Sequence, residues 1–314
     1  MTAYRYLFIL GLFTLINACT DSTDQPIDPT PEDLPEIVRG TIEVNIAHNG
    51  VSRSYLLYVP DSYMGDREVP LILNFHGFGS NANDQMNYGD FRSIADREGF
   101  ILVHPQGTVL NGNTHWNVGG FTNGSTADDL GYTEAVITDI SDSYMIDQDR
   151  VYATGMSNGG FFSFLLACQS SNRIAAIASV TGSMTPVNLA ACDPQQLIPI
   201  LQFHGTEDDL VLYDGNLWSV PMEDVLIYWT GVNQVSDQPF VRKLLDTNTM
   251  DGSSVELFEY GNASDDAMVV HYKIEGGGHT WPGTKFNTPG TNYDIDASEI
   301  IWEFFNQYNL NGRR

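Results

Sequence analysis

The sequence predicts an α/β fold: a mostly parallel, doubly wound sheet with an N-terminal antiparallel hairpin and helices on both faces. Three observations carry this expectation. Short, nearly continuous apolar runs rich in β-branched residues recur at 69–75, 100–104, 150–154, 174–180, 198–203 and 268–274, as strands covered on both faces require. Helical patterns fall between them, at 90–98, 129–144, 159–170, 222–231 and 297–308, and strands alternating with helices build parallel sheets. Ahead of these, 41–47 and 54–59 alternate apolar with polar residues around His48, Asn49 and Gly50, which reads as a hairpin.

The chain has 314 residues, 42% of them hydrophobic and 11% aromatic, enough to bury a sizeable core. No internal repeat and no shift of composition follows Gly40, so 40–314 is expected to be one domain. Asp and Glu number 40 against 14 Lys and Arg, a net charge of -26. Nucleic acids and anionic lipid surfaces need clustered cations, so they are poor partners. The acidity reads as a solvated surface compatible with neutral or weakly charged substrates.

At the N-terminus, Arg5 precedes an apolar run from Leu7 to Ile16, followed by Asn17, Ala18 and Cys19. The run suits a short signal peptide rather than a membrane span. Leu15-Ile16-Asn17-Ala18-Cys19 resembles a bacterial lipobox, in which cleavage leaves the cysteine as first residue, ready for lipid. Residues 1–18 are therefore expected to be a lipoprotein-type signal peptide, with Cys19 the lipidation site; an ordinary secretory signal is the alternative. Residues 19–39, rich in Asp, Pro, Thr and Ser, are expected to be a flexible tether. The expected location is the cell envelope, with the membrane met only through the lipid. Of the other cysteines, Cys168 and Cys192 in an oxidising compartment most simply form one disulfide. A metal site would want more ligands at closer spacing, so none is expected.

Residues 150–160 carry the most specific chemical signal. A strand pattern ends in Gly155-Met156-Ser157-Asn158-Gly159 and runs directly into an apolar helical segment. Strand, GxSxG and helix together make the nucleophile elbow of α/β-hydrolases. Small residues beside the serine permit a sharp, strained turn, and the helix start aims N–H groups at a developing oxyanion.

A serine hydroxyl needs a base to accept its proton and a carboxylate to orient that base. In this fold both follow the serine, acid first. The strand at 198–203 runs into His204-Gly205-Thr206-Glu207-Asp208-Asp209-Leu210-Val211. Asp208 fits the HGxxDxxV pattern common after this strand, with Glu207 and Asp209 as rivals. Only His271 and His279 come later. His271 sits inside a strand pattern, whereas His279 follows Gly276-Gly277-Gly278 in a loop, so His279 is the expected base. The second oxyanion donor should come from the loop after an early strand, here His76-Gly77-Phe78-Gly79, which nominates the N–H of Phe78 beside that of Asn158. His76 and His204 are expected to be structural. Trp116 and Trp281 lie in polar, glycine-rich loops and are candidate substrate platforms; the alternative is that each indole packs its loop onto the body.

These residues resemble the secreted esterase family of feruloyl esterases and polyhydroxybutyrate depolymerase-like proteins. The likeness rests on Gly155-Met156-Ser157-Asn158-Gly159-Gly160, on Asp147-Gln148-Asp149-Arg150-Val151-Tyr152 before it, on Asp128-Asp129-Leu130-Gly131-Tyr132, and on Gly277-Gly278-His279-Thr280-Trp281-Pro282-Gly283. It extends from about Ser54 to the helical pattern around Trp302. The resemblance implies an α/β-hydrolase without a large lid, a triad of Ser157, Asp208 and His279, no cofactor, and a disulfide between Cys168 and Cys192. Phe78 stands where many members have a small residue or Cys, which bears on the shape of the acyl pocket, and Leu212 stands where Pro is usual. The expected activity is hydrolysis of carboxylic esters, on feruloyl or acetyl groups of polysaccharide. The alternatives are a polyhydroxyalkanoate depolymerase, a general carboxylesterase, a serine peptidase, or a non-catalytic surface-binding lipoprotein that kept the fold.

Overall fold

The structure is a computed structural model that describes residues 37–262 and 264–314. The signal peptide, Cys19 and most of the expected tether lie outside the described residues. The described body begins at Ile37, which packs on the core, and Arg39 Nε donates to Tyr63 O at 3.0 Å.

The chain opens with β1 (Gly40–His48) and β2 (Val51–Val59), joined by Asn49 and Gly50 at φ of 50° and 77°. Positive φ at both positions is the turn geometry that matches the twist of antiparallel strands. β3 (Val69–Phe75) leads through α1 (Ala82–Tyr88) and α2 (Arg92–Glu98) to β4 (Ile101–Pro105). A small hairpin, β5 (Thr108–Leu110) with β6 (Asn113–His115), follows. The centre is α3 (Asp129–Ser143), β7 (Ile146–Met156), α4 (Asn158–Gln169) and β8 (Ala176–Val180). Next come α5 (Pro186–Ala190), β9 (Ile200–Gly205), α6 (Met222–Val232), β10 (Phe240–Lys243), β11 (Ser254–Tyr260) and β12 (Val269–Glu275). The chain closes with α7 (Ala297–Phe305) and a ribbon of β13 (Tyr308–Asn309) with β14 (Gly312–Arg313).

Ten strands form one sheet in the order β1-β2-β4-β3-β7-β8-β9-β12-β11-β10. The six from β4 to β12 run parallel, with antiparallel strands at both edges. In β3, β4, β8 and β9 every side chain is buried, as the unbroken apolar runs require. One core cluster joins the sheet to α3, α4 and α6 through Val136, Phe162 and Val225. The other joins its opposite face to α2 and α7 through Ile94 and Ile301. The carboxyl ends of parallel strands therefore share one edge, where crossover loops can converge.

The edge pair β10 and β11 is not among the strands expected from sequence. All four residues of β10 are exposed, so no buried face imposes a pattern. α1 is likewise absent from the expected helices: its sequence is polar, and its start is fixed by a cap, Asn81 Oδ1 accepting from Asp84 N at 2.9 Å. Cys168 and Cys192 form a disulfide across a separation of 24 residues, tying the end of α4 to the segment after α5. A loop of that length is worth about 3 kcal/mol in the chain-entropy account.

Candidate active site

Ser157 stands between β7 and α4 with φ 55° and ψ −120°, a conformation that costs a non-glycine residue about 1–3 kcal/mol. The surroundings hold it there: Ser157 N donates to Val180 O and Phe161 N to Ser157 O, each at 2.9 Å. Flanking glycines are demanded by β3. A Cβ at Gly155 would lie 2.6 Å from Phe75 O, and one at Gly159 would lie 2.1 Å from the same oxygen.

Past β9, Asp208 is buried, and its Oδ1 accepts from Leu210 N at 3.0 Å and Val211 N at 2.8 Å. Its Oδ2 meets His279 Nδ1 at 2.8 Å. Glu207 and Asp209 point to solvent. His279 reaches this position on the glycine run after β12, which packs tightly over the end of β9: a Cβ at Gly205 would lie 2.1 Å from Gly277 O. With Nδ1 facing the carboxylate, His279 lines the same cavity as Ser157.

The other candidate histidines are engaged elsewhere. His271 is buried on β12, between Gln202 O at 3.2 Å and the Tyr213 hydroxyl at 3.1 Å, and burial pushes its pKa down to about 3. His204 donates from Nε2 to Val211 O at 2.7 Å, beneath the Asp208 loop, and burial lowers its pKa. His76 donates from Nδ1 to Gly77 O at 2.8 Å and accepts at Nε2 from Gly107 N at 3.0 Å. Desolvation lowers its pKa to about 4, so the ring is neutral and clamps two loops together.

Gly77 brings its backbone against the serine: a Cβ there would come within 3.4 Å of Ser157 Cβ. Beyond it, Gly79 N donates to Thr114 O and Ser80 N to Gly77 O, while Phe78 N–H meets no acceptor among the described residues. The N–H of Asn158 opens α4, where helical geometry leaves first-turn donors without intrahelical partners. Both candidate donors therefore lie in the chain segments that flank Ser157.

Trp116 and Trp281 are not platforms, which corrects the sequence expectation. Both are fully buried. Trp116 Nε1 donates to His76 O at 2.9 Å, and its backbone N and O pair with the Asn158 side chain at 2.7 and 3.1 Å. Its ring stacks on Phe162, 5.3 Å between centroids. This one residue laces the serine elbow to the Gly77–Phe78 loop. Trp281 donates to Ser298 Oγ at 3.1 Å and fills the space over Gly89, where a Cβ would meet the indole at 2.9 Å. Loop indoles go inward when a buried acceptor waits for the N–H, which local polarity does not reveal.

The cavity at Ser157 measures about 880 Å³, near the upper end of small-molecule pockets. Its aromatic lining comes instead from Phe78, Tyr88, Phe121, Phe161, Trp218 and Phe286. Phe121 and Trp218 lie 5.1 Å apart, and Phe78 meets Phe121 at 6.3 Å. Nothing in local pattern singled these out. The usable signal was proximity in sequence, since Phe121 shares the Trp116 loop and Phe286 follows His279. Among the described residues no group of three or more His, Cys, Asp and Glu side chains is placed to hold a metal.

Fold and site together define an α/β-hydrolase with a serine at the elbow and a histidine–aspartate pair opposite it. The model of the esterase PHB depolymerase family matches residues 53–196. A bifunctional acetylxylan esterase/xylanase from Neocallimastix patriciarum is 28% identical over 84% of this chain and 34% of its own. Feruloyl esterase B from Piromyces equi is 27% identical over 82% of this chain and 46% of its own. The chain thus spans between a third and a half of the length of these two relatives. Among solved structures, an acetyl xylan esterase from Aspergillus awamori superposes with a TM-score of 0.60 at 16% identity, covering 84% of this chain and 99% of that one, a likeness of fold. By these comparisons the chain is similar to feruloyl and acetylxylan esterases and, over 53–196, to the esterase PHB depolymerase family.

Proposed function

We propose that the chain is an exported serine esterase with Ser157 as nucleophile, His279 as base and Asp208 as the carboxylate that orients it. The observation that carries this reading is the 2.8 Å hydrogen bond from His279 Nδ1 to Asp208 Oδ2 on the wall of the cavity that also contains Ser157. Nδ1 keeps its proton on the carboxylate, so Nε2 is the lone pair that accepts the Ser157 proton as Oγ attacks an ester carbonyl. The N–H groups of Phe78 and Asn158 stabilise the oxyanion, each such donor typically being worth about 10²–10³-fold in rate. Proton return from His279 to the alkoxide releases the alcohol. Water, deprotonated by the same nitrogen, then frees the acid.

Hydroxycinnamoyl or acetyl esters of polysaccharide are the proposed substrates, supported by the relatives' names and by an aromatic, largely uncharged cavity wall. Hydroxyalkanoate esters are the second reading, favoured by the family whose model matches. Methyl ferulate, acetylated xylan and a hydroxybutyrate trimer assayed side by side decide between them, and cleavage of the trimer alone would remove the first. A serine-directed phosphonate should label Ser157, and Ser157→Ala should lower kcat by about 10⁴–10⁶-fold. Absence of both label and turnover in the unaltered protein would leave a binding protein.

Export and anchoring rest on residues 1–36, through the apolar run and Cys19. Metabolic labelling with a fatty-acid probe should mark the protein in a bacterial host, and Cys19→Ser should abolish the mark.

A further inference from the structure

The cavity has two unlike ends. Phe121, Phe161 and Trp218 belong to or pack against the core on the α3, α4 and α6 face of the sheet. With Phe78, Leu210 and Val211 they make an apolar wall. Tyr88 packs against the core on the opposite face and stacks on Phe286, centroids 5.9 Å apart and planes at 28°. Around that pair the lining turns polar, with Asp84, Gln85, Asn87 and Thr288. Asp84 Oδ2 accepts from Asn81 Nδ2 at 2.7 Å, while its Oδ1 meets no donor among the described residues.

The geometry points to a leaving-group subsite at Tyr88 and Phe286 that takes a neutral sugar ring, with the acyl group on the Phe121–Trp218 wall. This rests on the esterase reading above. The orientation follows from proton transfer. The alcohol oxygen must lie beside His279 to be protonated, and the segment that continues from His279 carries Phe286 and Thr288 into the cavity. Sugars present apolar C–H faces and hydroxyl edges, so an exposed aromatic ring bordered by amide and carboxylate oxygens suits them. The opposite wall of Phe78, Phe121, Phe161, Leu210, Val211 and Trp218 has the indole N–H as its one side-chain polar group and would strand most hydroxyls without partners. Phe286 is 44% exposed, which suits a ring that must admit a residue still joined to a polymer.

The test compares two esters of one acid, methyl ferulate and feruloyl arabinose, and reads the ratio of their kcat/KM values. Tyr88→Ala and Phe286→Ala should each lower the sugar-to-methyl ratio about tenfold, since remote binding energy is lost only with the sugar. Tyr88→Phe and Phe286→Tyr, which keep a ring, should hold the ratio within about twofold. Phosphonate labelling of each variant verifies an intact elbow. If both esters are cleaved and no ratio moves, the subsite is wrong and the esterase reading stands. A ratio that falls equally in Trp218→Ala overturns the assignment of the two ends. Unaltered protein that cleaves neither ester removes the esterase reading and the subsite with it.

Discussion

Trp116 and Trp218 both sit in loops on the carboxyl side of the sheet, within reach of the same helix, yet they serve different ends. Trp116 is sealed off, its N–H on His76 O, its backbone paired with Asn158 and its ring against Phe162. Trp218 is half-buried, its ring against Phe121 and 6.1 Å from Phe161, with its far side on the cavity. The first has every polar atom answered and no freedom left. The second makes few polar bonds and meets whatever enters. A serine esterase of the kind proposed needs both kinds: one set of contacts that fixes nucleophile and oxyanion donors to a fraction of an ångström, and another that offers adaptable surface to the substrate.

The sharpest way to break that contrast is to truncate the sealed indole. Trp116→Ala should cost about 3–5 kcal/mol in urea unfolding, because a filled interior site becomes a cavity. Trp116→Phe keeps most of the volume but leaves His76 O without its donor, a loss of about 1–3 kcal/mol. It should also lower kcat more than it raises KM, since the donors shift relative to the serine. A Trp116→Phe protein with unaltered kcat would show that the lacing does not govern the oxyanion donors.

The same contrast explains what could be read from the chain alone. The elbow was legible because Gly155 and Gly159 are dictated by one strand's backbone, that of Phe75, and leave a fixed spacing in sequence. Asp208 and His279 were singled out by order and by their loops, and a 2.8 Å hydrogen bond joins them. The cavity wall was not. Phe161 lies within an apolar helix, Phe121 in a short helical turn and Tyr88 at the end of a polar helix, so each local pattern speaks only of its own element. Which of them face one another depends on how β3, β7 and β9 bring their loops to one edge. The indoles of Trp116 and Trp281 misled for the same reason, since their acceptors, His76 O and Ser298 Oγ, lie at sites remote in sequence.

Acid should strike the sealed side before the open wall. His76 is neutral, with a pKa lowered to about 4 by burial, and its Nε2 accepts from Gly107 N–H only while unprotonated. A histidine depressed below its unfolded value gives stability that is full above pH of about 6.5 and is lost as pH falls toward the folded value. At pH 5 the loss from His76 alone is about 2 kcal/mol. His104, His204 and His271 are shifted in the same direction by burial and add to it. Relief of repulsion among the many carboxylates opposes this, but most of them remain ionised at pH 5. Thermal midpoints should therefore fall between pH 7 and pH 5; a flat profile would mean that the buried imidazoles already have polar escape routes.

The smallest effect on stability should come from the open wall, and it should be the largest on binding. Removing the half-buried indole in Trp218→Ala uncovers little surface that was sealed from water, so unfolding free energy should drop by about 1 kcal/mol. What is lost is contact with the acyl group. For an aryl ester such as methyl ferulate, kcat/KM should fall about tenfold, chiefly through KM, because the ring is held alike before and during attack. An acetyl ester, which has no aryl ring to pack on the indole, should lose far less. Equal losses on both esters would mean that the side chain supports the elbow after all, and the division between a fixed side and an adaptable side would then have to be redrawn around Phe121 and Phe161.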